Sequence, residues 1–155
     1  MKIKFKNLLF AMACLTIACN NSGNQEVEQQ QAFDAVMLVH DEVMPRIADV
    51  NRLTTDLRSR AEGLDSTQQA TKNQLYDAIQ ALERADEGMM NWMAEVQTPE
   101  TLRGEGKTHA EIMRYLEEQQ KQVNQVRDSI QLSLQRGEEM LQQTTAPAQD
   151  TSGQQ

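Results

Sequence analysis

Apolar side chains recur along this chain at alternating intervals of four and three residues, in three separate runs. The first run is Val36, His40, Val43, Ile47, Val50, Thr54, Leu57, Ala61 and Leu64. The second is Leu75, Ala78, Leu82, Ala85, Met89, Trp92 and Val96. The third is Ile112, Leu116, Gln119, Val123, Val126, Ile130, Ser133 or Leu134, Gly137 and Leu141. Intervals of this kind bring side chains to one face of an α-helix, whereas a half-buried strand needs alternation by two. The pattern predicts an all-α, coiled-coil-like protein with helices over about residues 26–62, 66–97 and 108–142.

Breaks between the runs carry turn chemistry. Gly63-Leu64-Asp65-Ser66 separates the first two, and Asp65 or Ser66 followed by Gln68 or Gln69 reads as a capping box. Thr98-Pro99 ends the second helix, and Gly104-Glu105-Gly106 is a flexible point. Thr108-His109-Ala110-Glu111 reads as the capping box of the third helix. Pro45 lies within the first run. It has no N–H to give to the carbonyl of Asp41, which predicts a kink in a helix whose seam continues in phase on both sides. Short turns make successive helices antiparallel, so the expected architecture is an elongated up-down-up three-helix bundle. Helices of about 35 residues would run roughly 50 Å.

The start of the chain has a different logic. Lys2, Lys4 and Lys6 precede the apolar run Leu8 to Ala18. That run is far shorter than the roughly 20 apolar residues a bilayer span needs, so it reads as a secretory leader rather than a permanent anchor. Thr16-Ile17-Ala18-Cys19 is similar to the lipobox at which lipoprotein precursors are cut, with Thr16 where leucine is commoner. Cys14 is a competing site, but cleavage there would leave Leu15, Thr16 and Ile17 on the mature end. The expected division is a leader over 1–18, a flexible linker over 19–25 after lipidated Cys19, a bundle over 26–142 and a disordered tail over 143–155. Asn20 is not the aspartate of the best-known inner-membrane retention rule. The linker also lacks an early acidic cluster of the surface-export kind. The expected address is the periplasmic face of the outer membrane, held through the N-terminal lipid.

Lys2, Lys4 and Lys6 are the only charged residues of the leader. Their removal takes the 15 basic side chains to 12 against an unchanged 23 acidic ones, a formal charge of −11 on the remaining 137 residues. Such a surface repels nucleic acid and anionic lipid, so no nucleic-acid partner is expected. Both cysteines lie at or before the lipidation site, which excludes an internal disulfide or a catalytic thiol from the mature part. No catalytic motif emerges. Asp41 and Glu42 stand beside His40, but side chains at i and i+1 on a helix do not face each other, and no nucleophile accompanies them. The expectation is a non-enzymatic binding or spacer module with a protein partner in the cell envelope and no cofactor.

One cluster supports a second reading. The mature part has methionines at 37, 44, 89, 90, 93, 113 and 140. If the first turn centres near residue 64.5 and the second joins 98 to 108, His40 faces Met89 and Met93 faces Met113. Thioether and imidazole in a cysteine-free domain suit copper(I), with His40, Met44, Met90, Met93 and Met113 as the candidate ligands. A haem bound by histidine and methionine is a variant of that reading. The plainer account is a core in which methionine fills gaps around Pro45 and Trp92, His40 bonds a polar side chain such as Gln119, and His109 lies at the surface.

The stretches His40-Asp41-Glu42-Val43-Met44-Pro45, Met89-Met90-Asn91-Trp92-Met93 and Met113-Arg114-Tyr115-Leu116, taken with Thr16-Ile17-Ala18-Cys19, resemble a group of uncharacterised Bacteroidota lipoproteins. Some of these carry the label "viral A-type inclusion protein". The resemblance covers about residues 30–141. It implies a helical envelope lipoprotein and implies no activity.

Overall fold

The computed structural model describes residues 16–145, most of them helical. The elements are α1 (Thr16–Val43), α2 (Arg46–Glu62), a 3-10 turn (Ser66–Gln68), α3 (Gln69–Glu95), α4 (Pro99–Gly104) and α5 (His109–Thr145). No strand occurs among the described residues. No described helix is long and apolar enough to cross a membrane. The leader up to residue 15 and the tail from residue 146 lie outside the described residues.

Four boundaries differ from those the residue types predict. First, α1 begins at Thr16 and takes in the segment expected as a linker. Gln25 to Gln31 are mostly good helix formers, but Asn20, Asn21, Ser22, Gly23 and Asn24 are not, so local propensity does not account for the helix before Gln25. Second, Pro45 ends a helix rather than kinking one, since α1 and α2 are separated by a turn at Met44-Pro45. With no donor at Pro45 for the Asp41 carbonyl, the chain tightens and Ile47 N–H bonds Met44 O at 3.1 Å. Third, α4 is a helix where only a turn was expected. Thr98 Oγ1 accepts from Thr101 N–H at 3.2 Å, and Pro99 occupies the first helical position, where its missing donor does no harm. Gly106 then stops α4 at φ 80, with Gly106 N–H on Arg103 O and Lys107 N–H on Leu102 O, a Schellman ending that needs a left-handed residue. Fourth, α5 runs to Thr145, past the predicted end.

Of the two capping boxes expected from sequence, the one at Thr108 forms, while Asp65 caps through Thr67 rather than with Gln68 or Gln69. Asp65 accepts from Thr67 N–H at 2.7 Å at the start of the 3-10 turn. Thr108 and Glu111 make the reciprocal box, with Thr108 N–H on Glu111 Oε2 at 2.8 Å and Glu111 N–H on Thr108 Oγ1 at 3.4 Å.

The chain divides into two compact units, and α1 and α5 supply residues to both. The first unit holds the described residues through Met37 together with Gln97–Gln120. Its core is Leu102, Ile112 and Leu116, with Ala32, Phe33, Met113 and Tyr115 packed against them. The Tyr115 hydroxyl accepts from Gln97 N–H at 2.8 Å, which ties the residue entering α4 to α5.

The second unit holds Leu38–Val96 and the residues from Lys121 onward. Here α2 packs against α3. Val50, Leu53, Leu57 and Ala61 of α2, Leu75, Ile79, Leu82, Ala85, Met89 and Trp92 of α3, and Val123, Ile130 and Leu134 of α5 are buried. Each fully buried Leu, Ile or Val contributes about 1.5–3 kcal/mol relative to exposure, so this seam dominates the stability of the unit. Gly137 lets α5 approach closely, because a Cβ there would stand 2.7 Å from Leu53 Cδ2 and 3.3 Å from Leu82 Cδ1. Three helices of this unit therefore meet at one point. Ser133, also buried, returns its hydroxyl to Ile130 O at 3.0 Å.

Candidate functional site

His40 lies in the last turn of α1, within the second unit. Its side chain is 15% exposed, while that of Asp41 is 72% exposed. The imidazole Nδ1 meets Asp41 Oδ1 at 2.9 Å. Adjacent helical side chains ordinarily diverge, and this pair was expected to. It forms where α1 is about to end at Val43, with the short carboxylate turned back along the exposed side of the ring. On the other side, Nε2 meets Met93 Sδ at 3.0 Å. Trp92 stands beside the imidazole, with ring centroids 5.8 Å apart and planes tilted by 34°.

The sulfur at His40 is thus that of Met93, one helical turn beyond the expected Met89. Two interruptions that the expected register left out lie between these residues, the turn at Met44-Pro45 and the 3-10 turn at Ser66–Gln68. Met89 itself is fully buried. Met90 is 39% exposed. Met44 is half-buried, and its N–H bonds His40 O at 2.9 Å, one turn on from the histidine. Met113 belongs to the first unit and packs on the Leu102, Ile112 and Leu116 cluster. Of the five candidate ligands, His40 and Met93 are in direct contact.

The expected polar partner of His40 was Gln119. The partners found are Asp41 and Met93. Gln119 is buried, and its Oε1 has no hydrogen-bond partner among the described residues. The indole Nε1 of Trp92 is likewise buried and unpartnered among the described residues. Trp92 also borders an open groove of about 330 Å³ between α3 and α5, floored by Ala85, Gly88 and Val126 and rimmed by Arg84, Glu95 and Ser129.

The second histidine is held quite differently. Gln29, only 2% exposed, accepts from Arg103 Nη1 at 2.6 Å through Oε1 and donates its amide to His109 Nδ1 at 3.1 Å. That leaves the His109 proton on Nε2, which faces Glu28 Oε2 at 3.5 Å. Each of these contacts pairs a donor with an acceptor, and the role of the network is to tie α1, α4 and α5 together in the first unit. The sequence offered a signal for it, since Gln29 lies seven residues before Val36 on the extended seam.

Two carboxylates have displaced titrations, both for local reasons. The side-chain and backbone bonds from Thr67 hold Asp65 below its ordinary value. The backbone and side-chain bonds from Thr108 do the same for Glu111. Both are caps rather than acid–base machinery. No three His, Cys, Asp or Glu side chains converge as a metal site among the described residues. No protein-family model, curated protein or solved structure matches this chain.

Proposed function

We propose that this chain is an envelope lipoprotein, anchored to the outer membrane by acyl chains on Cys19, and that its helical part is a non-enzymatic binding or spacer module. One observation carries the reading: a lysine-rich start, an apolar run too short to span a bilayer, and Thr16-Ile17-Ala18-Cys19 stand directly before a chain built on heptad seams. Several buried acyl chains, at about 0.8 kcal/mol per methylene, make such attachment long-lived. The helical part would form an antiparallel up-down-up bundle with α1–α2, α3 and α5 as its three members. The meeting of Leu53, Leu82 and Gly137 in the second unit supports this arrangement. A core spent largely on apolar packing, with Asp65 and Glu111 placed as caps, suits a module that holds position or docks. The partner would be another envelope protein.

Membrane flotation of the full chain and its Cys19→Ser and Cys14→Ser variants tests the anchor. The wild type and Cys14→Ser should float with outer-membrane vesicles, and Cys19→Ser should stay with soluble protein. Flotation of all three would overturn the reading.

A further inference from the structure

We propose that His40 and Met93 form the nucleus of a binding site for a soft monovalent cation, copper(I) or silver(I), with Asp41 orienting the imidazole and Met44 completing the ligand set. The argument begins with protons. An ionised carboxylate only accepts, so the hydrogen in the His40–Asp41 bond belongs to Nδ1. In the neutral imidazole this leaves Nε2 as a bare lone pair. The atom that lone pair faces, at 3.0 Å, is the sulfur of Met93, which carries lone pairs and no hydrogen. In that form two acceptors confront each other, at a side chain only 15% exposed. A cation between them turns that conflict into two bonds.

The surroundings select the kind of cation. Calcium and magnesium take carboxylate and carbonyl oxygen, while Asp41 is already bonded to the ring and no further acid among the described residues joins it in a cluster. Nitrogen with thioether sulfur favours soft copper(I). A carboxylate on the remote ring nitrogen is the usual outer partner of a metal-bound histidine, because it fixes the tautomer and raises the basicity of the ligating nitrogen. His109 makes the contrast: its Nδ1 lone pair is taken up by the amide of Gln29, and its remaining nitrogen carries the proton.

The geometry needs a small opening. With bonds of about 2.0 Å to nitrogen and 2.3 Å to sulfur, the two ligand atoms would stand about 3.7 Å apart at a trigonal angle. Methionine has three rotatable side-chain bonds, and Met93 is half-buried rather than locked, so its sulfur can withdraw by that amount. Met44, on the turn that Pro45 enforces, lies one turn from His40 and can supply a second thioether.

The test is silver(I) titration of the full chain in detergent, carrying Cys14→Ser and Cys19→Ser so that no thiol competes, followed by the emission of Trp92, the only tryptophan. Expected is saturation at one ion per chain, with Trp92 emission altered at the same end-point. The long-range proton–nitrogen spectrum should shift at His40 Nε2 while Nδ1 keeps its hydrogen. Met93→Leu should weaken binding at least about tenfold, and Asp41→Ala by about tenfold through the loss of ring orientation. Met140→Leu, remote from the site, should bind as the parent does. Thermal melts of each variant confirm folding. Failure to saturate, a shift at Nδ1 in place of Nε2, or equal losses in Met93→Leu and Met140→Leu would overturn the proposal. So would an Nε2 resonance unmoved by silver, the result expected if the contact is simply an imidazolium N–H resting on sulfur.

Discussion

Gly137 and Gly88 are both helical glycines in the second unit, and the structure sends their alanine variants in opposite directions. An interior glycine disfavours a helix by about 1 kcal/mol relative to alanine, so either substitution begins with a gain of that size. At Gly88 the added methyl meets only Val126 Cγ2, at 4.0 Å, and the gain should survive. At Gly137 the methyl would sit 2.7 Å from Leu53 Cδ2 and 3.2 Å from Leu53 Cγ, against a carbon–carbon optimum of about 3.5–4.0 Å. Leu53 is 2% exposed and Leu82 is fully buried, so neither can swing into solvent. Overpacking of this kind costs about 1–3 kcal/mol, which leaves Gly137→Ala destabilised by about 1 kcal/mol after the helical gain. The two variants should therefore differ by about 2 kcal/mol, or roughly 8 °C in melting temperature for a chain of this length. Leu53→Ala alone should cost about 2–5 kcal/mol. In the double variant the methyl added at position 137 fills part of the vacated space, so the combined loss should fall short of the sum by at least about 1 kcal/mol. Urea unfolding, followed by Trp92 emission and far-ultraviolet dichroism, measures all four. Equal shifts for the two glycines, or additivity within about 0.5 kcal/mol, would refute the close approach at Leu53.

Further outcomes follow from the caps, the proline and the buried glutamine. Asp65 and Glu111 are both held below their ordinary values in the folded chain, so the stability they bring is present above the unfolded values and is lost as pH falls through the folded ones. Carboxyl resonances should show Asp65 titrating low in the parent and rising part of the way to the ordinary range in Thr67→Val, which removes the hydroxyl bond and keeps the backbone ones; an unmoved midpoint would show that the Thr67 hydroxyl is not the main cause. Pro45→Ala restores a donor for the Asp41 carbonyl, so α1 and α2 should join and the new amide at position 45 should be protected from hydrogen exchange. Rapid exchange at that amide would mean that something other than proline makes the break. Gln29→Ala strands Arg103 and His109 at once and should cost about 1–3 kcal/mol in thermal melts, where a surface glutamine would register almost nothing.

The seams were legible in sequence because burial on a helix leaves a periodic trace. Val50, Leu57, Leu75, Leu82, Met89, Ile112, Leu116, Val123 and Ile130 are buried where the four-three spacing placed them. The seam reading failed at its edges. Leu53 and Ile79 are buried off the strict heptad, since a helix packed by two neighbours needs a stripe wider than a coiled-coil seam. Caps were readable as well, because Asp65 and Thr108–Glu111 act through neighbours in sequence. What escaped depends on tertiary register. The His40–Met93 contact depends on register across the Met44-Pro45 turn and the Ser66–Gln68 connection, which composition does not specify. The α4 helix is too short for periodicity to reveal, and it stands on the Thr98 cap, Pro99 and the buried Leu102 together. The Asp41 bond to His40 contradicts the general divergence of adjacent helical side chains, and only the folded chain exposes it.

The lipid anchor is the claim on which the proposed function turns, and intact-mass analysis of the protein extracted from its native envelope tests it directly. The account predicts a chain that begins at Cys19, with the added mass of a diacylglyceryl group on sulfur and an acyl group on the new amino terminus. A chain that begins at any other residue, or at an unmodified Cys19, would contradict it.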